Sequence, residues 1–120
     1  MLLKSIENIL SFEAKDKTTI KEIIHPKNDN VLLSYSLAHA SLKSGASSIP
    51  HCLVNQSEVY FFIKGQGKII IEDEQKAVKR GDVVLVPKGA RQYVENQGDV
   101  VLEMLCIVSP PWSDLDDVVL

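Results

Sequence analysis

At 120 residues the chain has the length of one domain, long enough to bury a core without staples. Hydrophobic residues make up 45% and charged residues 24%, a globular composition that excludes a disordered or fibrous chain. The net charge is −3 and the Lys and Arg residues are scattered, so no basic stripe for nucleic acid is expected, and no apolar run is long enough for a membrane-spanning helix.

In chain order, Leu3, Ile6, Ile9 and Leu10 stand at helical spacing and predict at most a short helix within 2–12. This segment lacks the flanks of a signal peptide, so the cytoplasm is the expected location. Asp16 and Lys17 form a turn, and 18–24 is β-branched enough for a strand. A loop follows from His25, where Pro26 disfavours helix, and His25 is expected to face solvent. A long strand is predicted over 31–42. Shorter strands follow at 49–53, 58–64, 68–72, 75–78, 83–86, 92–96 and 100–108. Turn residues separate them, such as Gly65-Gln66-Gly67, Gly81-Asp82 and Pro87-Lys88-Gly89. Gly65 and Gly67 are read as positive-φ positions of a hairpin. Many short strands at this spacing predict an all-β sandwich or barrel. Pro110 and Pro111 end the last strand, and Trp112 is read as packing against a barrel end or the N-terminal segment. A short helix or an extended tail completes the chain.

Two inferences follow from this layout. Cys52 and Cys106 lie far apart without a CxxC spacing and read as free thiols in a reducing compartment. In 58–64, Val59, Phe61 and Ile63 alternate with Glu58, Tyr60, Phe62 and Lys64, so both faces carry bulk. A strand apolar on both faces is covered on both, which predicts a homodimer or cover by the N-terminal segment.

The landmarks Gly45, His51, Glu58 and Gly65, and then Gly81, Pro87, Gly89 and Asn96, form a two-part pattern over roughly 31–108. It resembles the cupin family. There the first motif is glycine, five residues, His-x-His, three or four residues, Glu, six residues, Gly. The second is glycine, five residues, Pro-x-Gly, two residues, His, three residues, Asn. Leu53 stands at the second histidine of the first motif, and Gln92 at the histidine of the second. The resemblance implies an antiparallel double-sheet jelly-roll barrel. The division is then an N-terminal extension packing on the barrel (1–30), the barrel (31–112) and a C-terminal tail (113–120). It also implies a site inside the barrel and a dimer.

Four residues are candidate metal ligands: His51, Glu58, Gln92 and His39. Glu58 is expected to face His51 across a hairpin, with Gln92 joining from the second motif. One imidazole, one carboxylate and one amide oxygen would hold a divalent ion such as Mn, Fe, Ni or Zn, more weakly than three imidazoles do. Strand parity leaves His39 open. It faces inward with Leu37 and Ser41, or outward if Ala38, Ala40 and Leu42 face inward. The competing reading of His51 and Glu58 is a hydrogen-bonded pair in a metal-free pocket. Leu53, Tyr60 and Phe62 would line the pocket, or simply fill it.

These readings predict a cupin that binds a small polar molecule, either as a metal-dependent enzyme with a degenerate ligand set or as a metal-free binding or sensing protein. A further variant is a sugar-phosphate isomerase-like activity. It rests on Glu95-Asn96-Gln97-Gly98 and the acid-rich 115–119, which are similar to the cupin domain of type II phosphomannose isomerases. No phosphate loop, dinucleotide fingerprint or nucleophilic triad is present in the sequence pattern.

Overall fold

A computed structural model describes residues 1–120. Its strands are β1 (Phe12–Glu13), β2 (Thr19–Ile24), β3 (Ser36–Leu42), β4 (His51–Leu53), β5 (Ser57–Lys64), β6 (Gln66–Ile71), β7 (Glu74–Lys79), β8 (Val83–Val86), β9 (Gln92–Glu95), β10 (Leu102–Ser109) and β11 (Asp117–Val119). One helical turn, α1 (Pro26–Asp29), follows β2, and 3-10 turns lie at Ile6–Asn8 and Asp114–Asp116. The strands form two sheets facing each other, in the orders β1-β2-β3-β10-β5-β8 and β11-β4-β9-β6-β7. All strand pairs are antiparallel, as a jelly roll requires.

Period-two alternation builds the core. Along β10, Leu102, Met104, Cys106 and Val108 point between the sheets and are buried, while Leu105 and Ile107 point out. Phe62 is fully buried beside Val86, Val94 and Leu102. Burial of one such ring stabilises the fold by about 2–3 kcal/mol.

The turn between β5 and β6 uses its glycines for two different reasons. Gly65 has φ +85°, and a Cβ there would also meet the Val101 carbonyl at 2.8 Å. Gly67 does not have the positive φ expected of it. It is required because a Cβ would stand 2.3 Å from the Glu95 carbonyl of neighbouring β9.

Several other expectations are corrected. The helix within 2–12 shrinks to one 3-10 turn, and the predicted strand 31–42 begins only at Ser36. His25 is buried, not solvent-facing: Nδ1 accepts from Lys27 N as the cap of α1, and Nε2 bonds the Trp112 carbonyl at 2.7 Å. Both ends of the chain enter the sheets. Residues 1–30 contribute β1 and β2, and the tail contributes β11, hydrogen-bonded to β4.

The outer face of the six-stranded sheet is apolar and open where β8, β5 and the end of β10 lie side by side. Phe61 pairs with Val83 and Val59 with Leu85, and Leu105 and Ile107 lie on their other side. Val83 and Leu85 are more than 60% exposed. No helix is long and apolar enough to cross a membrane.

Candidate functional site

A cavity of about 70 Å³ lies between the sheets. A water needs about 10–15 Å³ by this measure, so the space suits a few waters or one small molecule. Most of the wall is apolar, including Ile20, Ala38, Met104 and Val108; its polar part is His51, four carboxylates, Tyr60 and a few hydroxyls.

His51 begins β4, where parity turns His51 and Leu53 inward and leaves Cys52 half-buried on the other side. Pairing with β11 sets Asp117 opposite Leu53. Asp117 Oδ1 accepts from His51 Nδ1 at 2.8 Å, and its Oδ2 accepts from Trp112 Nε1 at 3.0 Å. This fixes the ring at the cavity wall, with Nε2 buried and making no hydrogen bond. Asp16 Oδ2 is 3.4 Å from Nε2. Asp16 is itself held in an Asx turn, its Oδ1 accepting from both the amide and the hydroxyl of Thr18.

Burial disfavours the His51 imidazolium. The Asp117 hydrogen bond and the charges of Asp16, Asp117 and Glu58 outweigh burial, so the His51 pKa is raised. Asp117 is also penalised by burial, but its bonds to His51 and Trp112 hold it below the usual carboxylate range.

Glu58 lies on β5, in the other sheet. It therefore meets His51 across the barrel, not across a hairpin as expected. It is 7% exposed and its Oε1 makes no hydrogen bond. Burial pushes its pKa up to about 7, helped by Asp16 and opposed by His51, Gln92 and Tyr60. An unpaired buried acceptor of this kind costs about 1–3 kcal/mol. Burial also holds the Tyr60 hydroxyl and the Cys106 thiol well above their usual ranges, so both stay protonated.

The other expected site residues are divided. Leu53 and Tyr60 line the cavity. Phe62 does not; its ring lies 6.0 Å from that of Tyr60, in the core. Gln92 is the backbone partner of His51, but it lies behind the wall with its amide oxygen taken by the Tyr60 hydroxyl. His39 points away. Ala38 and Ala40 on either side of it line the cavity, and His39 Nε2 bonds Glu103 Oε1 at 2.8 Å. The four expected ligands therefore do not converge, and no three His, Cys, Asp or Glu side chains are grouped to hold a metal ion.

The sequence reading missed Asp16, Glu22 and Asp117 as wall residues. Asp16 had a local signal, since Asp-x-Thr is an Asx-turn pattern. Asp117 had none, because only the pairing of β11 with β4 brings it 66 positions back to His51.

The family model described as "Cupin domain" matches residues 38–108. An uncharacterized protein of Methanocaldococcus jannaschii is 32% identical over 114 residues, covering 95% of this chain and 90% of its own. A mannose-1-phosphate guanylyltransferase of Salmonella montevideo is 25% identical over 120 residues, but the match spans 26% of that enzyme. Among solved structures, a predicted oxalate decarboxylase of Thermotoga maritima superposes with TM-score 0.79 at 18% identity, covering 91% of this chain and 99% of that one. The Streptomyces nucleoside dehydratase Pac13 superposes with TM-score 0.79 at 20% identity, covering 100% and 91%. At these identities the structural likeness shows the fold.

Proposed function

The chain belongs to the cupin family, and we propose that its barrel binds a small polar molecule and moves a proton on it through His51, without a resident metal. One observation carries this reading: on the cavity wall, Asp117 occupies Nδ1 of His51 and leaves Nε2 buried and without a hydrogen bond, with Asp16 Oδ2 3.4 Å away. A base oriented by a carboxylate, with its second nitrogen presented to substrate space, is the arrangement that proton transfer requires. Glu58 supports it as a second group on the opposite wall, half-protonated near neutral pH. Cys106 and Tyr60 do not compete as nucleophiles, since burial keeps both neutral.

A homodimer joined through the apolar outer face of β5 and β8 belongs to this proposal. So does a reducing, cytoplasmic setting, supported by the free thiols Cys52 and Cys106.

The test uses protein purified without chelators. Metal content is measured first, and then the imidazole nitrogens of His51 are followed by NMR through a pH titration. The expected result is substoichiometric metal and an Nε2 signal that titrates in or above the ordinary histidine range. Stoichiometric metal that disappears in His51→Ala overturns the metal-free mechanism.

A further inference from the structure

The charge of the cavity wall narrows the ligand further. Asp16, Glu22, Glu58 and Asp117 all line it, and no lysine or arginine does. Two of these wall carboxylates keep an oxygen unused, since Glu22 Oε1 and Glu58 Oε1 are buried and make no hydrogen bond. Carboxylates without a proton only accept, and no donor of the chain serves these two oxygens.

Nearby cations are committed elsewhere. Lys4 Nζ bonds Asp29 at 2.9 Å. Both ring nitrogens of His25 are engaged, one by the Lys27 amide and the other by the Trp112 carbonyl. Lys15 bonds the backbone carbonyls of Asp114 and Asp117. A phosphate or carboxylate ligand would face four carboxylates with His51 as its one basic partner, a balance of charge that counts against the sugar-phosphate reading.

Register supplies the shape. Glu22 on β2 pairs with Ala38 on β3, Ala38 with Cys106 on β10, and Cys106 with Tyr60 on β5. This row crosses the inner face of one sheet, and all four residues line the cavity. Three strand spacings separate its ends, about 14 Å between backbones before the side chains reach inward. Glu22 closes one end. Glu58 stands two positions from Tyr60 at the other, and the floor between is small and apolar.

We propose that the cavity takes a small primary amine, its ammonium on Glu22 and its carbon chain lying over Ala38 and Cys106 toward Glu58 and His51. The proposal rests on the proton-transfer reading of His51 and adds the substrate class. Glu22 is the anchor, and it leaves His51 and Glu58 free for the reacting end. Glu58 Oε1 and His51 Nε2, both buried and without a hydrogen bond, mark that end as built for a ligand.

The test compares n-butylamine, n-butanol and butyrate, which share one carbon chain and differ in charge. Binding to the intact protein at mildly alkaline pH is followed by chemical-shift perturbation. Butylamine is expected to bind at least about tenfold more tightly than butanol, the worth of one charge-assisted hydrogen bond, and butyrate to bind least. Glu22→Gln is expected to remove that tenfold advantage and leave butanol unchanged. Butanol or butyrate binding as well as butylamine overturns the proposal, as does an unchanged butylamine affinity in a folded Glu22→Gln variant, or the absence of binding by all three. The ranking in the unmodified protein stands even if the variant fails to fold. The His51 titration without any probe reports separately on proton transfer, so the two readings fail by different results.

Discussion

His51 and Asp117 are joined at 2.8 Å although 66 positions separate them, and the strand that carries Asp117 lies at a sheet edge with β4 as its one neighbouring strand. The tail of the chain is therefore part of the site. Asp117→Asn keeps the shape but removes the charge that favours the imidazolium. The His51 pKa is expected to fall to or below its ordinary value, because burial then acts with less opposition. Loss of a hydrogen bond to a charged group is expected to cost about 1.5–3 kcal/mol in urea unfolding at neutral pH. An unchanged His51 titration in this variant would refute the orienting role of Asp117.

Glu58 sets a pH dependence of stability. Its pKa is raised from 4.5 to about 7 in the folded protein, so between those values the native state binds more protons than the unfolded one. Stability is then greatest below pH 4.5 for this group and falls as pH rises to about 7. The size is on the order of 3 kcal/mol. The groups acting on it are His51, Gln92, Asp16 and Tyr60. His51, also raised, loses its contribution in the same direction as pH climbs past its folded pKa. Asp117, lowered, acts oppositely and only in acid, losing its contribution as pH falls below the ordinary carboxylate range. Glu58→Gln is expected to match the unmodified protein near pH 4.5 and to be more stable at pH 8. Urea unfolding across that range checks it, and parallel profiles for the two proteins would contradict the assignment.

Much of this architecture was legible in the sequence because its signals are local. Alternation in 58–64 and the glycine-bounded turns give β5 to β8 close to their observed bounds. The expected inward faces of His51, Glu58 and Tyr60 agree with the cavity wall, since parity within a short strand is robust once one residue is anchored. His39 was not legible because alternation in 36–42 pairs small residues with small, so only the neighbouring strands reveal which face is inner. The acids at 16 and 117 were not legible as partners of one imidazole. Their proximity is a property of sheet order, and no spacing along the chain encodes it.

Two glycines separate close approach from backbone strain. Gly67→Ala would press a methyl against the Glu95 carbonyl 2.3 Å away, between two paired strands that cannot part cheaply. A loss of about 2–3 kcal/mol is expected, in line with overpacking of a tight interior. Gly45→Ala has nothing within 4 Å and suffers only from φ +77°. Its expected loss is about 1–2 kcal/mol, the cost of a left-handed conformation for a residue with a Cβ. Thermal unfolding of both variants checks the order, and a larger loss at Gly45 would reverse the explanation.

The open apolar face predicts self-association. Phe61, Val83 and Leu85 are exposed side by side on β5 and β8, with β8 at the sheet edge. Contiguous exposed apolar surface of this kind marks an interaction site. The homodimer proposal predicts that Leu85→Lys, placing a charge amid that patch, shifts sedimentation from dimer to monomer without lowering secondary structure. A protein that sediments as a monomer before substitution removes the dimer from the reading.

The last prediction concerns what separates the four expected ligands from a converging set. Leu53 lies two residues from His51 on the same face of β4 and lines the cavity, and Gln92 is the backbone partner of His51 on β9. An imidazole at Leu53 would project from the same face of β4 as His51, and one at Gln92 would come from the paired position on β9, with Glu58 in the facing sheet. Nitrogen donors bind divalent transition metals far better than an amide oxygen or an alkyl chain does. The double variant Leu53→His with Gln92→His is therefore expected to bind one zinc or nickel per chain, while the unmodified protein retains none through dialysis. Calorimetry with each metal measures the difference. Comparable affinity in the two proteins would mean that the existing groups already suffice, and the metal-free mechanism would have to be abandoned.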